Sequence, residues 1–169
     1  ININTSIDGA SKISFDGGGT TGFFSVAAAR TLSLVRLTLT NAGNASSPST
    51  GLAIAVGSGI LSIANSTFSR NTRGAVSGFN TDGVTAITNS LFISNSSSGF
   101  GGAIYNTGQL SISDSTFSDN VGSNSHEGGA IYNTATGGIL GRVTIRRSSF
   151  FRNTAGYGGA ISNYGALTI

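Results

Sequence analysis

Gly101-Gly102-Ala103-Ile104-Tyr105-Asn106, followed by Ser115-Thr116-Phe117-Ser118-Asp119-Asn120, returns almost intact as Gly128-Gly129-Ala130-Ile131-Tyr132-Asn133 and Ser148-Ser149-Phe150-Phe151-Arg152-Asn153. A chain that repeats itself every few tens of residues stacks one structural unit on itself. Working outward, an apolar-x-apolar triplet marks the phase at Ile1-x-Ile3, Leu32-x-Leu34, Leu61-x-Ile63, Thr85-x-Ile87, Leu110-x-Ile112, Val143-x-Ile145 and Leu167-x-Ile169. Each full interval then offers a large apolar slot (Leu39, Phe68, Phe92, Phe117, Phe150). A Ser precedes the Phe (Ser66, Ser90, Ser115, Ser148) and an Asn follows it (Asn71, Asn95, Asn120, Asn153). A third apolar stretch closes the unit, from Phe24 to Val26, Ala53 to Val56, Ala75 to Ser77, Ala103 to Tyr105, Ala130 to Tyr132 and Ala160 to Ser162.

Short alternating runs separated by Gly, Asn and Ser read as strands, and no stretch carries sustained helical periodicity with caps. The expected fold is all-β: a right-handed parallel β-helix, or β-solenoid, of about six coils with three short strands each. Phe68, Phe92, Phe117 and Phe150 then form an inward aromatic ladder. Asn71, Asn95, Asn120 and Asn153 form an amide ladder at a corner, where Asn also tolerates left-handed backbone. In the first interval Ile13-Ser14-Phe15 is either a fourth strand or part of a long corner. Asn41–Thr50 and Asn120–Glu127 read as longer loops leaving the rod.

Residues 1–169 read as one solenoid domain, a segment or processed unit without its own caps. The triplets at Ile1 and Leu167 put both ends at one point of the repeat. That phase predicts open strand edges able to pair with further copies of the chain, or with flanking segments of a larger surface protein.

Gly, Ser, Thr and Asn make up more than half of the residues, yet β-branched and aromatic residues are regularly placed, which argues against disorder. The net charge of +3 rests on nine basic and six acidic groups. Arg142, Arg146, Arg147 and Arg152 lie close in sequence but lack interleaved aromatics, so a solvated edge is favoured over a nucleic-acid surface. Cysteine is absent, which excludes disulfides, thiolate metal sites and a cysteine nucleophile. No run is apolar enough for membrane insertion, and no stretch reads as a signal peptide.

On the Gly-Gly-Ala-Ile and Phe-x-x-Asn phrases, the chain resembles the polymorphic outer-membrane-protein repeat family. It is similar as well to the wider group of secreted bacterial right-handed parallel β-helix proteins. Ser6-Ile7-Asp8-Gly9 and Ser14-Phe15-Asp16-Gly17, followed by Phe23–Thr40, resemble the start of such domains. The resemblance implies an extracellular or cell-surface bacterial protein with a structural or adhesive role. The sequence departs from the pattern where Leu39 replaces Phe with Asn41 two residues later, and where the Gly pair is lost at Gly51-Leu52 and Arg73-Gly74.

The same architecture hosts carbohydrate-active enzymes, so a pectin-lyase-like enzyme or a polysaccharide-binding module is the alternative. Asp114, Asp119, His126 and Glu127 are the residues such chemistry would draw on. Asp114 shares a column with Arg36, Asn65, Asn89 and Arg147, so no carboxylate stands beside it. These groups are expected to be exposed corner and loop residues. No catalytic, metal or cofactor site is expected. The Gly-rich pieces open no helix and so lack the setting of a nucleotide loop. Tyr105 and Tyr132 share a slot in adjacent coils, with Tyr157 and Tyr164 nearby. They form a cross-coil pair or, as the weaker reading, contact glycans. Asn4, Asn44, Asn65 and Asn95 head acceptor-like Asn-x-Ser/Thr triplets of the kind a Ser/Asn-rich chain contains by chance.

Overall fold

The computed structural model describes residues 1–43, 52–78, 80–123, 125 and 127–169. The first coil holds β1 (Thr5–Asp16) and β2 (Phe24–Val26); the second holds β3 (Thr31–Thr40) and β4 (Ile54–Val56). Then follow β5 (Ile60–Ala64), β6 (Thr67–Ser69) and β7 (Val76–Gly78); β8 (Val84–Thr88), β9 (Leu91–Ile93) and β10 (Ile104–Asn106); and β11 (Gln109–Ser113), β12 (Thr116–Ser118) and β13 (Ile131–Asn133). A small hairpin, β14 (Ala135–Thr136) and β15 (Ile139–Leu140), precedes the sixth coil of β16 (Arg142–Arg146), β17 (Ser149–Phe151) and β18 (Ile161–Asn163). Strand β19 (Ala166–Thr168) opens a seventh.

Every coil pairs in parallel with the coils above and below. The first and second faces merge into an eleven-stranded sheet, because β1 and β3 each run continuously around the first corner. The third face is a six-stranded sheet in the order β18-β13-β10-β7-β4-β2. Only the hairpin is antiparallel, among the described residues. The protein is a β-solenoid of about six turns, as the repeat predicts.

The corners explain how short strands turn without losing their ladder. Arg36, Asn65, Asn89, Asp114 and Arg147 stand in one column at the first corner, with φ between 44° and 54°. Asn41, Arg70, Ser94, Asp119 and Arg152 do the same after the second face, with φ between 53° and 55°. One left-handed residue bends the chain, while its amide still donates to the next coil, as from Asn65 to the Thr88 carbonyl (3.2 Å) and Asp114 to the Arg146 carbonyl (3.1 Å). The left-handed residue is the one before each ladder Asn, not the Asn itself, which corrects the sequence reading. Asn41 accordingly belongs to the corner column, and Ala42 takes the ladder position in its coil.

The first coil differs from expectation. Thr5 pairs with Leu32 and Ile7 with Leu34, so the phase triplet there is Thr5-x-Ile7 rather than Ile1-x-Ile3. Ile1 lies beside β2 on the third face, its amine donating to the Ser25 carbonyl and its carbonyl accepting from the Ala27 amide. Two apolar-x-apolar triplets compete within seven residues. The later one wins because it lets both halves of β1 pair with β3. The two ends of the chain therefore do not share one point of the repeat. Ile13–Asp16 settles as the second-face strand, opposite Leu37–Thr40, and the four residues from Gly9 to Lys12 bulge out against Arg36. The Asp of each Ser-x-Asp-Gly phrase closes a turn, Asp8 on the Ala10 amide and Asp16 on the Gly18 amide (both 2.9 Å).

The core is a column of like residues. Phe68, Phe92, Phe117 and Phe150 stack with centroids 4.8, 4.7 and 4.8 Å apart and planes within 8°. Leu39 and then Phe15 continue that column toward the amino end. There Phe15, Phe23 and Phe24 fill the coil with tilted and edge-on rings 5.5 to 6.5 Å apart. Of the two expected long loops, residues 44–50, 124 and 126 lie outside the described residues, while Val121 and Glu127 stay on the rod by bridging Thr154 and Tyr157.

Glycine is required in two ways in the repeated phrase. Gly101 and Gly128 have φ of 65° and 75°, and at Gly129 an added Cβ would stand 1.9 Å from the Gly159 carbonyl oxygen of the next coil. Gly129→Ala is therefore expected to prevent the last coils from docking, seen as loss of protection from amide exchange beyond β13. Phe92→Ala should cost about 4 kcal/mol and Phe92→Leu roughly 1 kcal/mol, since Leu39 already occupies this column. Urea unfolding of the two variants measures the difference.

Candidate functional site

The residues that the sequence offers as chemistry are arranged in ladders. Asn71, Asn95 and Asn120 are fully buried. Each donates its Nδ2 to the Oδ1 of the next: Asn71 to Asn95 (2.8 Å), Asn95 to Asn120 (3.0 Å) and Asn120 to Asn153 (2.9 Å). The same oxygens accept the backbone amides of Asn71, Asn95 and Asn120 at 3.0–3.2 Å. Nδ2 reaches back to the carbonyls of Leu39, Phe68, Phe92 and Phe117 at 2.9–3.3 Å. Each amide side chain thus bonds on both sides in the buried corner, where an unpaired polar group would be costly.

The serines form a second ladder. Ser66, Ser90, Ser115 and Ser148 each donate to the carbonyl two residues back (2.7–2.8 Å) and accept an amide from the coil below (3.1–3.2 Å). Their hydroxyl oxygens accept the amides that the left-handed turn takes out of the ladder. A third ladder, Asn106 to Asn133 to Asn163 (2.7 Å each), lies on the third face, and sequence reading did not extract it. The signal was the Asn ending each Ile-Tyr-Asn and Ile-Ser-Asn phrase. No buried side-chain nitrogen or oxygen among the described residues lacks a partner.

The acids are separated. Asp114 is gripped by Arg147 (2.6 and 2.8 Å) and Asp119 by Arg152 (2.6 and 3.0 Å), each guanidinium using two nitrogens across one coil step. Asp8 pairs with Arg36 in the same manner. The Arg147 hydrogen bond holds the Asp114 carboxyl below its ordinary range, and Arg152 does so for Asp119. Asp16 is lowered by the Gly18 amide and then by Asn41. Of the clustered arginines, two are thus in corner pairs. His126 lies outside the described residues.

Glu127 is different: its carboxylate accepts the hydroxyls of Ser162 and Tyr164, both at 2.6 Å, and Ser162 and then Tyr164 lower its pKa. Tyr132 lies at the centre of the adjoining aromatic group, 4.5 Å from Phe100, 5.6 Å from Tyr105 and 5.9 Å from Tyr164 between ring centroids. Tyr105 and Tyr132 are therefore a cross-coil pair on the outside of the third face, in register through β10 and β13. Burial, and then Tyr132, raises the Tyr105 pKa. Beside Tyr105 and Phe100 runs a groove of about 250 Å3 that includes Arg73, Ser97 and Ser98. Of the acceptor-like asparagines, Asn95 is closed by burial and Asn44 lies outside the described residues.

Stacked parallel coils with Phe, Asn and Ser ladders define a β-solenoid repeat protein. Three segments, residues 89–107, 114–134 and 147–164, match the family model of the Chlamydia polymorphic membrane protein repeat. The resemblance read from Gly-Gly-Ala-Ile and Phe-x-x-Asn is thus met on those phrases, over about a third of the chain, and it points to a surface-associated bacterial protein. No curated protein and no solved structure gives a significant match.

Asn95→Ala removes the oxygen that accepts from both the Asn71 backbone amide and its side chain and is expected to cost about 3 kcal/mol, while Asn153→Ala, at the partly exposed end, costs about 1 kcal/mol. Thermal unfolding of both variants checks the gradient. For Asp114 and Asp119, the carboxyl pKa is lower folded than unfolded. Their contribution is therefore complete above the ordinary carboxylate pKa of about 4 and lost as pH falls through the depressed value. The melting temperature should be flat from about pH 8 to 5 and drop below about pH 4. The drop should be smaller in an Asp114→Asn/Asp119→Asn double variant.

Proposed function

We propose that this chain is a non-catalytic, extracellular structural or adhesive β-helix, a stalk segment of a larger bacterial surface protein. The observation carrying this reading is that the Phe, Asn and Ser ladders and the Asp–Arg pairs are consumed in coil-to-coil contacts, leaving a rigid rod with outward side chains. The repeat-family match supports the surface setting. The alternative within this reading is a subunit stacking head-to-tail into a filament through its open coil edges. The stalk's partners are flanking segments of the same surface protein; no cofactor is required.

Incubation with pectic and neutral polysaccharides, with and without calcium, is expected to release no product, and Asp114→Ala or Asp119→Ala to change nothing in that assay. Turnover abolished by either substitution would establish the carbohydrate-active alternative. Sedimentation over a wide concentration range should show a species that does not grow; open-ended growth would favour the filament.

A further inference from the structure

We infer that the tyrosine-bearing third face is a glycan-binding surface, and that it takes a linear, β-linked, neutral oligosaccharide along the rod axis. The inference rests on the adhesive reading above and names its ligand. All four tyrosines of the chain fall between residues 105 and 164. Tyr105, Tyr132 and Tyr164 come from successive coils: Tyr105 and Tyr132 share a slot, and Tyr164 follows two residues after Ser162, which takes that slot in the sixth coil. Steps of 5.6 and 5.9 Å between these centroids approach the advance of one pyranose ring in an extended β-linked chain. A ligand with its own short axial repeat fits a solenoid better than a compact one does.

The chemistry around the column is that of sugar recognition. Tyr164 and Phe100 are 58 % and 39 % exposed, and they flank Tyr132, giving apolar ring surface for the C–H faces of a sugar. Glu127 supplies the polar half. Two hydroxyl donors fix its position, yet an ionised carboxylate has about four acceptor sites, so two remain for vicinal sugar hydroxyls. Further along, the groove beside Tyr105 offers the Ser97 and Ser98 hydroxyls. A purely apolar partner would meet a carboxylate and several hydroxyls here, and a polyanion would meet Glu127.

Titration of the intact chain with cellohexaose, chitohexaose, mannohexaose and, as a curved α-linked control, maltohexaose tests this by calorimetry. At least one β-linked hexamer should bind, more tightly than its disaccharide and than maltohexaose. Tyr164→Ala and Phe100→Ala should each weaken binding about tenfold, the loss expected for one ring. Glu127→Gln should weaken it several-fold, with unchanged far-ultraviolet dichroism in all three. No binding by any β-linked hexamer, equal binding of maltohexaose, or affinity indifferent to all three substitutions would overturn the proposal. Product analysis of the same mixtures separates the two readings. Cleavage of a bound hexamer would refute the non-catalytic scaffold and leave the surface standing, whereas absence of binding would leave the scaffold untouched.

Discussion

The buried amide ladder from Asn71 to Asn153 is the constraint on which the rest of the rod depends. A solenoid can slip by a residue wherever its strands are short, and strands of three residues carry little register of their own. An amide that must bond the amide directly above it fixes the coils against sliding, because any offset would leave donors and acceptors unpaired in the dry corner. The stacked Phe rings next to it are apolar and tolerate substitution, as Leu39 shows. The Asn column tolerates Ala only at its end, where Ala42 still donates its backbone amide to Asn71.

The left-handed corners follow from the same geometry. Turning the chain within one residue leaves the neighbouring amides misdirected, and the Ser ladder collects them. The exposed left-handed position is then open to polar residues of any charge, and in two columns it holds Asp in one coil and Arg in the next. Stacking at one coil step brings these within hydrogen-bond reach. Asp114 and Asp119, two of the candidates for catalysis, are therefore part of the corners, held in the ionised form by their arginines. On the third face the outward slot holds Ser25, Ala55, Ser77 and Ser162 on either side of the aromatic pair Tyr105 and Tyr132.

Much of this was legible in the sequence. The Phe and Asn columns could be read directly, because the spacing between slots within a coil is constant while loop lengths vary between coils. The Ser column was visible as a pattern but not as a ladder, since its bonds run to backbone groups that no pattern displays. Asn106, Asn133 and Asn163 recur as well, but each ends its phrase beside a turn, and only stacking of the coils brings their amides into a ladder. Glu127 was legible as a loop acid beside a histidine, but not its setting, because its partners Ser162 and Tyr164 are a full coil away. The hairpin at Gly137-Gly138, both with positive φ, carried the mark of a tight turn that the surrounding repeat obscured.

By itself the sequence determined the fold class, the number of coils and the identity of the inward ladders, because a repeated unit must bury like residues on like. Tertiary structure alone decided the phase of the first coil and which residue at each corner is left-handed. It also decided that the acids are partnered and that Phe100, Tyr132, Tyr164 and Glu127 meet on one face. The physical reason is the same in each case. Short apolar triplets and polar corners are locally degenerate, and only pairing with the next coil, some tens of residues away, selects among them.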